Sequence, residues 1–395
     1  MRSSPLPHAP LGGLVRIKSG GTPSKGNIEY WGDDLPWITA KDLKSRYLVG
    51  SIQKLSAAGR SIATIAPADA LLILVRGMGL FKDMPISICK TEVAFNQDVK
   101  ALIPGNAIDS GFLYCALESL KPVLMQLVEA AGHGTGRLDT AKLLALPIPL
   151  PPLQEQHWIA AILGTWDAAI EKAGRLLDAA QSQFEALRTE LYREDGSEER
   201  LTFGAFLDES RVPGNNGSTA RKLTVRLYGK GIGPKQDRTA GSANTRYYIR
   251  RAGQFIYSRL DFLNGAFAVV PDHLDGFEST LDLPAFEIAP RVNSIWLLNY
   301  VTRPAYYQNQ QNLARGQRIA RRVNPDDLLA SEIAVPTRER QDEVAAILTL
   351  CIDGINSIRS LVVALRRQKT GLMQKLLTGK IRVPEALADL SPAAD

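Results

Sequence analysis

The stretch LPIPLPPLQEQHWIAAIL, residues 146–163, returns at residues 331–348 as SEIAVPTRERQDEVAAIL. Ile148, Pro151, Gln156 and the run Ala160-Ala161-Ile162-Leu163 become Ile333, Pro336, Gln341 and Ala345-Ala346-Ile347-Leu348, at an offset of 185 residues with no gap. Upstream, Leu143-Leu144-Ala145 matches Leu328-Leu329-Ala330. Downstream the identity fades but the period does not. Ile159, Leu163, Trp166, Ile170, Ala173, Leu177, Ala180, Phe184, Leu187 and Leu191 step by four and three, the a/d spacing of a coiled-coil seam. The same offset selects Val344, Leu348, Cys351, Ile355, Ile358, Val362, Leu365, Lys369, Leu372 and Leu376. Lys369 is the exception, and its stem is expected on the seam with its ammonium in water.

Two helices follow, roughly 155–193 and 340–378, each on the order of 58 Å long. Both are approached through proline: Pro147, Pro149, Pro151 and Pro152 before the first and Pro336 before the second. Gly196 and Gly379 follow their ends. Each helix trails a block of mixed, strand-rich sequence, 10–145 and 200–335. Helical stretches are expected near 109–130 and 293–313, and a turn at Asn264-Gly265. The expected fold class is α+β, two similar mixed domains separated by an antiparallel two-helix coiled coil with an internal pseudo-twofold. The expected boundaries are 1–150 and 197–337 for the domains, 151–196 and 338–380 for the helices, and 381–395 for a tail. Two like domains on a stiff rod suit two DNA half-sites about a fixed spacer of at most roughly 17 base pairs.

Bulk composition is that of a globular chain, with 45% hydrophobic and 22% charged residues among 395. No run of about 18 apolar residues is seen, so no membrane span is expected, and the start lacks a signal-type apolar core. Cys89, Cys115 and Cys351 are scattered, as are the four histidines, which argues for a reducing cytoplasm and against a metal site. The net charge of +6 is unevenly spread: Arg211–Leu260 holds eleven Lys or Arg and one acid, Asp237. LARGQRIARR at 313–322 adds four Arg. Such clusters are either a solvated face or a phosphate-binding surface. Tyr228, Tyr247, Tyr248, Phe255 and Tyr257 lie among them, as strand core or as platforms for bases.

These residues carry a family resemblance over essentially the full length. The motifs are IKSGGTPSKGNIEYWGDDLPWITAKDL at 17–43, FNQDVKALIP at 95–104 and PLPPLQEQ at 149–156. KLTVRLYGKGI at 222–232, RYYIRRAGQFIYSRLDFLNGAFAVVP at 246–271, STLDLPAF at 279–286 and LMQKLLTGKIRV at 372–383 complete the set. The chain resembles the specificity (S) subunit of type I restriction–modification systems. The resemblance implies two target recognition domains, each reading half of a split sequence in double-stranded DNA. It implies that the long helices set the spacer and dock methyltransferase (M) subunits, two of them, with restriction (R) subunits completing the nuclease. No cofactor and no membrane partner are expected. The stretch ALRTELYRE, where family members set spacer length, has no tandem copy here.

No catalytic machinery is legible. There is no G-x4-G-K-[ST] loop and no methyltransferase or nuclease motif set. The chain is therefore read as a non-catalytic subunit; the alternative is a coiled-coil scaffold that binds nucleic acid without reading sequence. First-domain candidates for DNA contact are Lys18, Gly20, Gly21, Thr22, Lys25, Lys41, Arg76 and Lys82. The glycines either let the backbone approach phosphate or make a tight turn. Asn96 and Gln97 have amides that suit adenine edges, or else a structural role. Second-domain candidates are Lys230, Lys235, Arg246, Arg259, Arg315, Gln317 and Arg318, most of them for the phosphate backbone. Arg321 and Arg322 are alternatively braces for the helix junction.

Overall fold

A computed structural model describes residues 6–48, 50–132, 134–236, 241–316 and 321–383. The chain forms two compact units, residues 1–175 with 359–395, and residues 176–358. The long helices run over Leu153–Leu191 and Arg338–Leu377, so each unit owns one end of each helix.

In the first unit, strands Val15–Ser19, Val99–Pro104, Leu71–Leu74, Ile86–Cys89 and Tyr47–Leu48 form a five-stranded sheet in that order. A second sheet orders Gln53–Leu55, Trp31–Ile38, Val93–Phe95 and Ile65–Ala66. Leu71–Leu74 is buried on both faces, hence its unbroken apolar run. The helix Ser110–Ser119 covers this core and is capped by Asp109, whose side chain accepts from the Phe112 amide. Ile159 and Leu163 of the first long helix join the same core with Met373, Leu376 and Leu377 of the second. Their sense is antiparallel: Asp167 meets Lys369, and Glu155, earlier in its helix, meets Arg382 through two 2.6 Å bonds.

The second unit repeats the plan with aromatic filling. Its main sheet orders Leu207–Ser210, Ala285–Ile288, Phe255–Tyr257 and Phe267–Val269. Phe203, Phe255, Tyr257, Phe262, Phe267, Phe286 and Trp296 are fully or almost fully buried. Phe184, Leu191 and Tyr192 of the first long helix share this core with Val344, Ala345 and Leu348 of the second. The helix Ser294–Val301 is capped by Asn293, as Asp109 caps its counterpart.

The doubled stretch is one joint built twice. Strand Pro147–Pro149 pairs with His8–Pro10, and Glu332–Val335 pairs with Glu199–Thr202, both antiparallel. Buried Gln156 accepts from the Asp109 amide at 2.9 Å and donates to Ala107 O at 3.1 Å and Pro151 O at 2.9 Å. Gln341 accepts from the Asn293 amide at 2.8 Å and donates to Arg291 O at 3.3 Å and Pro336 O at 2.9 Å. Each glutamine thus ties a helix cap in the domain to the first turn of a long helix. Burying an amide is tolerated because its donors and acceptor are all matched.

The seam positions of both helices are buried or half-buried, with one departure and one reinterpretation. Leu187 is 37% exposed, and Arg188 takes the inward position, its guanidinium over the Phe184 ring and bonded to Glu185. Lys369 does not snorkel. It pairs with Asp167, which also accepts from Arg46 at 3.0 Å. The 185-residue equivalents of Asp167 and Lys369 are Ile352 and Phe184, so the polar contact of the first unit has apolar counterparts in the second. By length and composition the second long helix, with a stretch of mean hydropathy 1.5, is also long and apolar enough to cross a membrane, contrary to the expectation from sequence. The buried seam residues Val344, Leu348, Ile355 and Val362 lie on this helix.

Candidate nucleic-acid interface

In the first unit the candidates gather around the loop Phe95–Asp98. At Gly20 any Cβ would fall 2.2 Å from Asn96 O and 2.3 Å from Phe95 O, so only glycine fits. The Gly21 amide donates to Phe95 O at 2.9 Å, and its carbonyl accepts from Trp37 Nε1 at 3.1 Å. Gly20 is therefore packed on the loop, its close approach made to protein backbone, whereas a Cβ at Gly21 would meet open space. Thr22 Oγ1 donates to Gln97 Oε1 at 2.6 Å, and Lys25 lies 5.9 Å over the Trp37 ring. Lys18 donates to Ile65 O at 2.9 Å. Asn96 is structural, its Oδ1 accepting from the Asp98 amide at 3.2 Å, whereas Gln97 is exposed.

Arg76, Gly77, Met78, Gln97, Asp98 and Thr135 line an open pocket of about 370 Å³. Met78 is 75% exposed. Neither Met78 nor Thr135 stood out in the sequence, because the strand Thr135–Leu138 reaches this pocket only by pairing with Arg76–Gly77. Lys82 ends the short helix that begins at Met78, and Lys41 sits on the separate Thr39–Asp42 turn; both are exposed.

The second unit divides its candidates. Lys230 and Lys235 flank the tip and end of a ribbon, Leu223–Val225 paired with Ile232–Pro234, and are exposed, as is Arg246 on its strand. Arg259 and Arg315 are otherwise engaged. Arg259 bonds Asn324 and lies 4.0 Å from Asp282, and Arg315 pairs with Asp327. Arg322 meets Asp282 at 3.4 Å. These arginines brace the turn before the helix Pro325–Ala330, so the role of phosphate contact does not suit Arg259. Gln317 and Arg318 lie outside the described residues.

The basic window also overstates surface charge. Arg250 is fully buried and donates to Ser279 Oγ at 2.7 Å, Ser210 O at 2.8 Å and Leu283 O at 3.1 Å. Desolvation lowers its pKa to about 10, partly countered by Glu209. It remains a cation at neutral pH, held by oxygens that no periodicity signals. Of the interleaved aromatics, Phe255 and Tyr257 are core, Tyr247 and Tyr248 are half-buried, and Tyr228 is on the surface.

Two α+β units, each seated on a long helix by the same glutamine joint, define a chain of duplicated plan. Residues 8–178 match the family described as type I restriction modification DNA specificity domain. The chain is 32% identical over 190 residues to the type I restriction enzyme EcoR124I/EcoR124II specificity subunit of Escherichia coli, 46% of this chain and 47% of that one. It is 31% identical over 164 residues to the MjaIX specificity subunit of Methanocaldococcus jannaschii, 40% of this chain and 37% of that one. The match thus spans about half or less of these relatives' length. The type I system S subunit from M. genitalium superimposes with a TM-score of 0.58 at 14% identity, over 94% of this chain and 95% of that one. A second structure, from work on assembly and conformational transition of the type I R-M system, gives 0.57 at 15% identity over 96% and 100%. Over residues 8–178 the chain is thus similar to type I restriction–modification specificity subunits, and over nearly its whole length it shares the fold of two solved chains.

Proposed function

We propose that this chain selects the DNA target of a type I restriction–modification complex, each recognition domain contacting one half of a bipartite sequence. The chain itself performs no chemistry; it docks two methyltransferase subunits, with restriction subunits joining them, and works in the cytoplasm. The main support is the joint at Gln156 and Gln341. A body that only attached nucleic acid to a scaffold would not need a second copy seated by the same three hydrogen bonds. Docking along the helices is supported by apolar side chains outside the seam: Ile347 and Leu350 in one unit, Leu361 and Val363 in the other, all exposed. Solvent-exposed apolar groups on a packed helix suit a protein partner.

The test is selection from random double-stranded DNA with the methyltransferase subunit bound. Enrichment of two short motifs at a constant separation is expected. Binding without enrichment would favour the scaffold reading, since salt-sensitive affinity alone is common to both.

A further inference from the structure

The hairpin Leu223–Val225/Ile232–Pro234 is a two-stranded ribbon apart from the larger sheets of its unit. Leu223 and Val225 anchor it on a small core with Ile256, Ala268 and Val270. Its tip closes through Arg226 N to Gly231 O at 2.8 Å and Lys230 N to Leu227 O at 3.3 Å. The two central residues, Tyr228 and Gly229, have φ of +58° and +64°. This is the geometry of the tight hairpin turns that favour Asn-Gly, and tyrosine is strained at the first position.

Nothing local requires tyrosine there. The backbone is pinned by Tyr228 N to Asn264 O and Gly229 N to Gly265 O, both 2.8 Å, bonds that asparagine or glycine would make equally well. The ring is 60% exposed, so packing does not offset the strain. An exposed aromatic kept in an unfavourable conformation points to a use at the surface. Its neighbours fit one kind of ligand. Lys230 Nζ lies 5.8 Å from the ring centroid, Arg226 and Lys235 are exposed, and residues 221–236 contain no acid. A narrow, basic two-stranded ribbon matches the width of the DNA major groove, where an aromatic tip meets base edges and cations meet phosphates.

We propose that the ribbon tip 226–231 enters the major groove of the half-site contacted by the second domain, and that Tyr228 is its specificity-determining residue. The inference rests on the function proposed above. The test compares wild type, Tyr228→Asn and Tyr228→Phe, each in complex with the methyltransferase subunit, by selection from random DNA and by thermal melting. Asparagine suits the left-handed turn, so Tyr228→Asn is expected to keep or raise Tm by about 1–3 °C. The same variant should lose discrimination at one or more bases of one half-site by roughly 5- to 150-fold, with the other half-site unchanged. Tyr228→Phe should retain most of that discrimination. A Tyr228→Asn complex that selects the full wild-type motif overturns the inference while the bipartite function stands. So does a fall in Tm with the motif intact, which would make the ring structural. If wild type itself selects no motif, the proposed function fails and the inference with it.

Discussion

Replacing Gln156 with alanine should loosen the first recognition domain from its helix. The side chain is fully buried and makes three hydrogen bonds, one accepted from the Asp109 amide and two donated to Ala107 O and Pro151 O. Each such bond contributes about 0.5–1.5 kcal/mol net, and three partners would be left buried without it. Adding the small cavity, the expected cost is about 3–5 kcal/mol. Gln156→Glu keeps the acceptor for Asp109 but turns a carboxylate toward two carbonyls. That raises the folded-state pKa of the new acid above its unfolded value of about 4.3. The variant's deficit relative to wild type should therefore grow as pH rises from about 4, and shrink again on acidification. Hydrogen exchange read by mass spectrometry is the fitting assay, because it reports each unit separately. Deprotection is expected in the helix Ser110–Ser119 and the first turns after Leu153, with the helix Ser294–Val301 unaffected. Gln341→Ala should give the converse. Unchanged protection at residues 109–119, or a cost below about 1 kcal/mol, would refute the clamp.

Further outcomes can be measured on the same material. Asp167→Ala leaves Arg46 and Lys369 facing each other without their carboxylate and should cost about 2–4 kcal/mol in urea unfolding. Lys369→Phe should cost less, because Arg46 still pairs with Asp167, and Asp167→Ile with Lys369→Phe tests whether the apolar residues found at the equivalent positions, Ile352 and Phe184, can replace the charged pair. Arg250→Met removes the guanidinium donor from the Ser210 carbonyl, while Leu283 O keeps the Ser279 hydroxyl, and should destabilise the second unit by about 1–3 kcal/mol. The folded pKa of Arg250, near 10, lies below the unfolded value, so its burial costs stability below about pH 10 and the cost is relieved only above it. The difference between Arg250→Met and wild type should accordingly be flat between pH 5 and 9. Burial pushes the Cys89 and Cys115 thiols up to about 12 and about 11. At pH 8 iodoacetamide should label half-buried Cys351 first, with Cys89 and Cys115 reacting only on unfolding.

The local features of this chain were legible without coordinates. The four-three step of apolar residues marks both long helices, observed at Leu153–Leu191 and Arg338–Leu377, because helix periodicity is written in neighbouring residues. The prolines mark where each begins, and the repeat announces two bodies of like plan. What each polar residue does was a different matter. Gln156 and Gln341 stood out as identities in a repeat, but their role depends on caps 47 and 48 residues earlier. Lys369 looked like a flaw in the seam until Asp167, 202 residues away, supplied its partner. Arg250 and Lys230 belong to one basic run, yet one is sealed among carbonyls and the other stands on a ribbon tip. Gly20 read equally well as a phosphate turn or a packing turn, and the Phe95–Asn96 carbonyls decided for packing. Periodicity and turn chemistry are short-range and survive in a one-dimensional string. Desolvation and hydrogen-bond partnership are set by whatever the fold brings alongside, and for charged side chains that is where the deciding free energy lies.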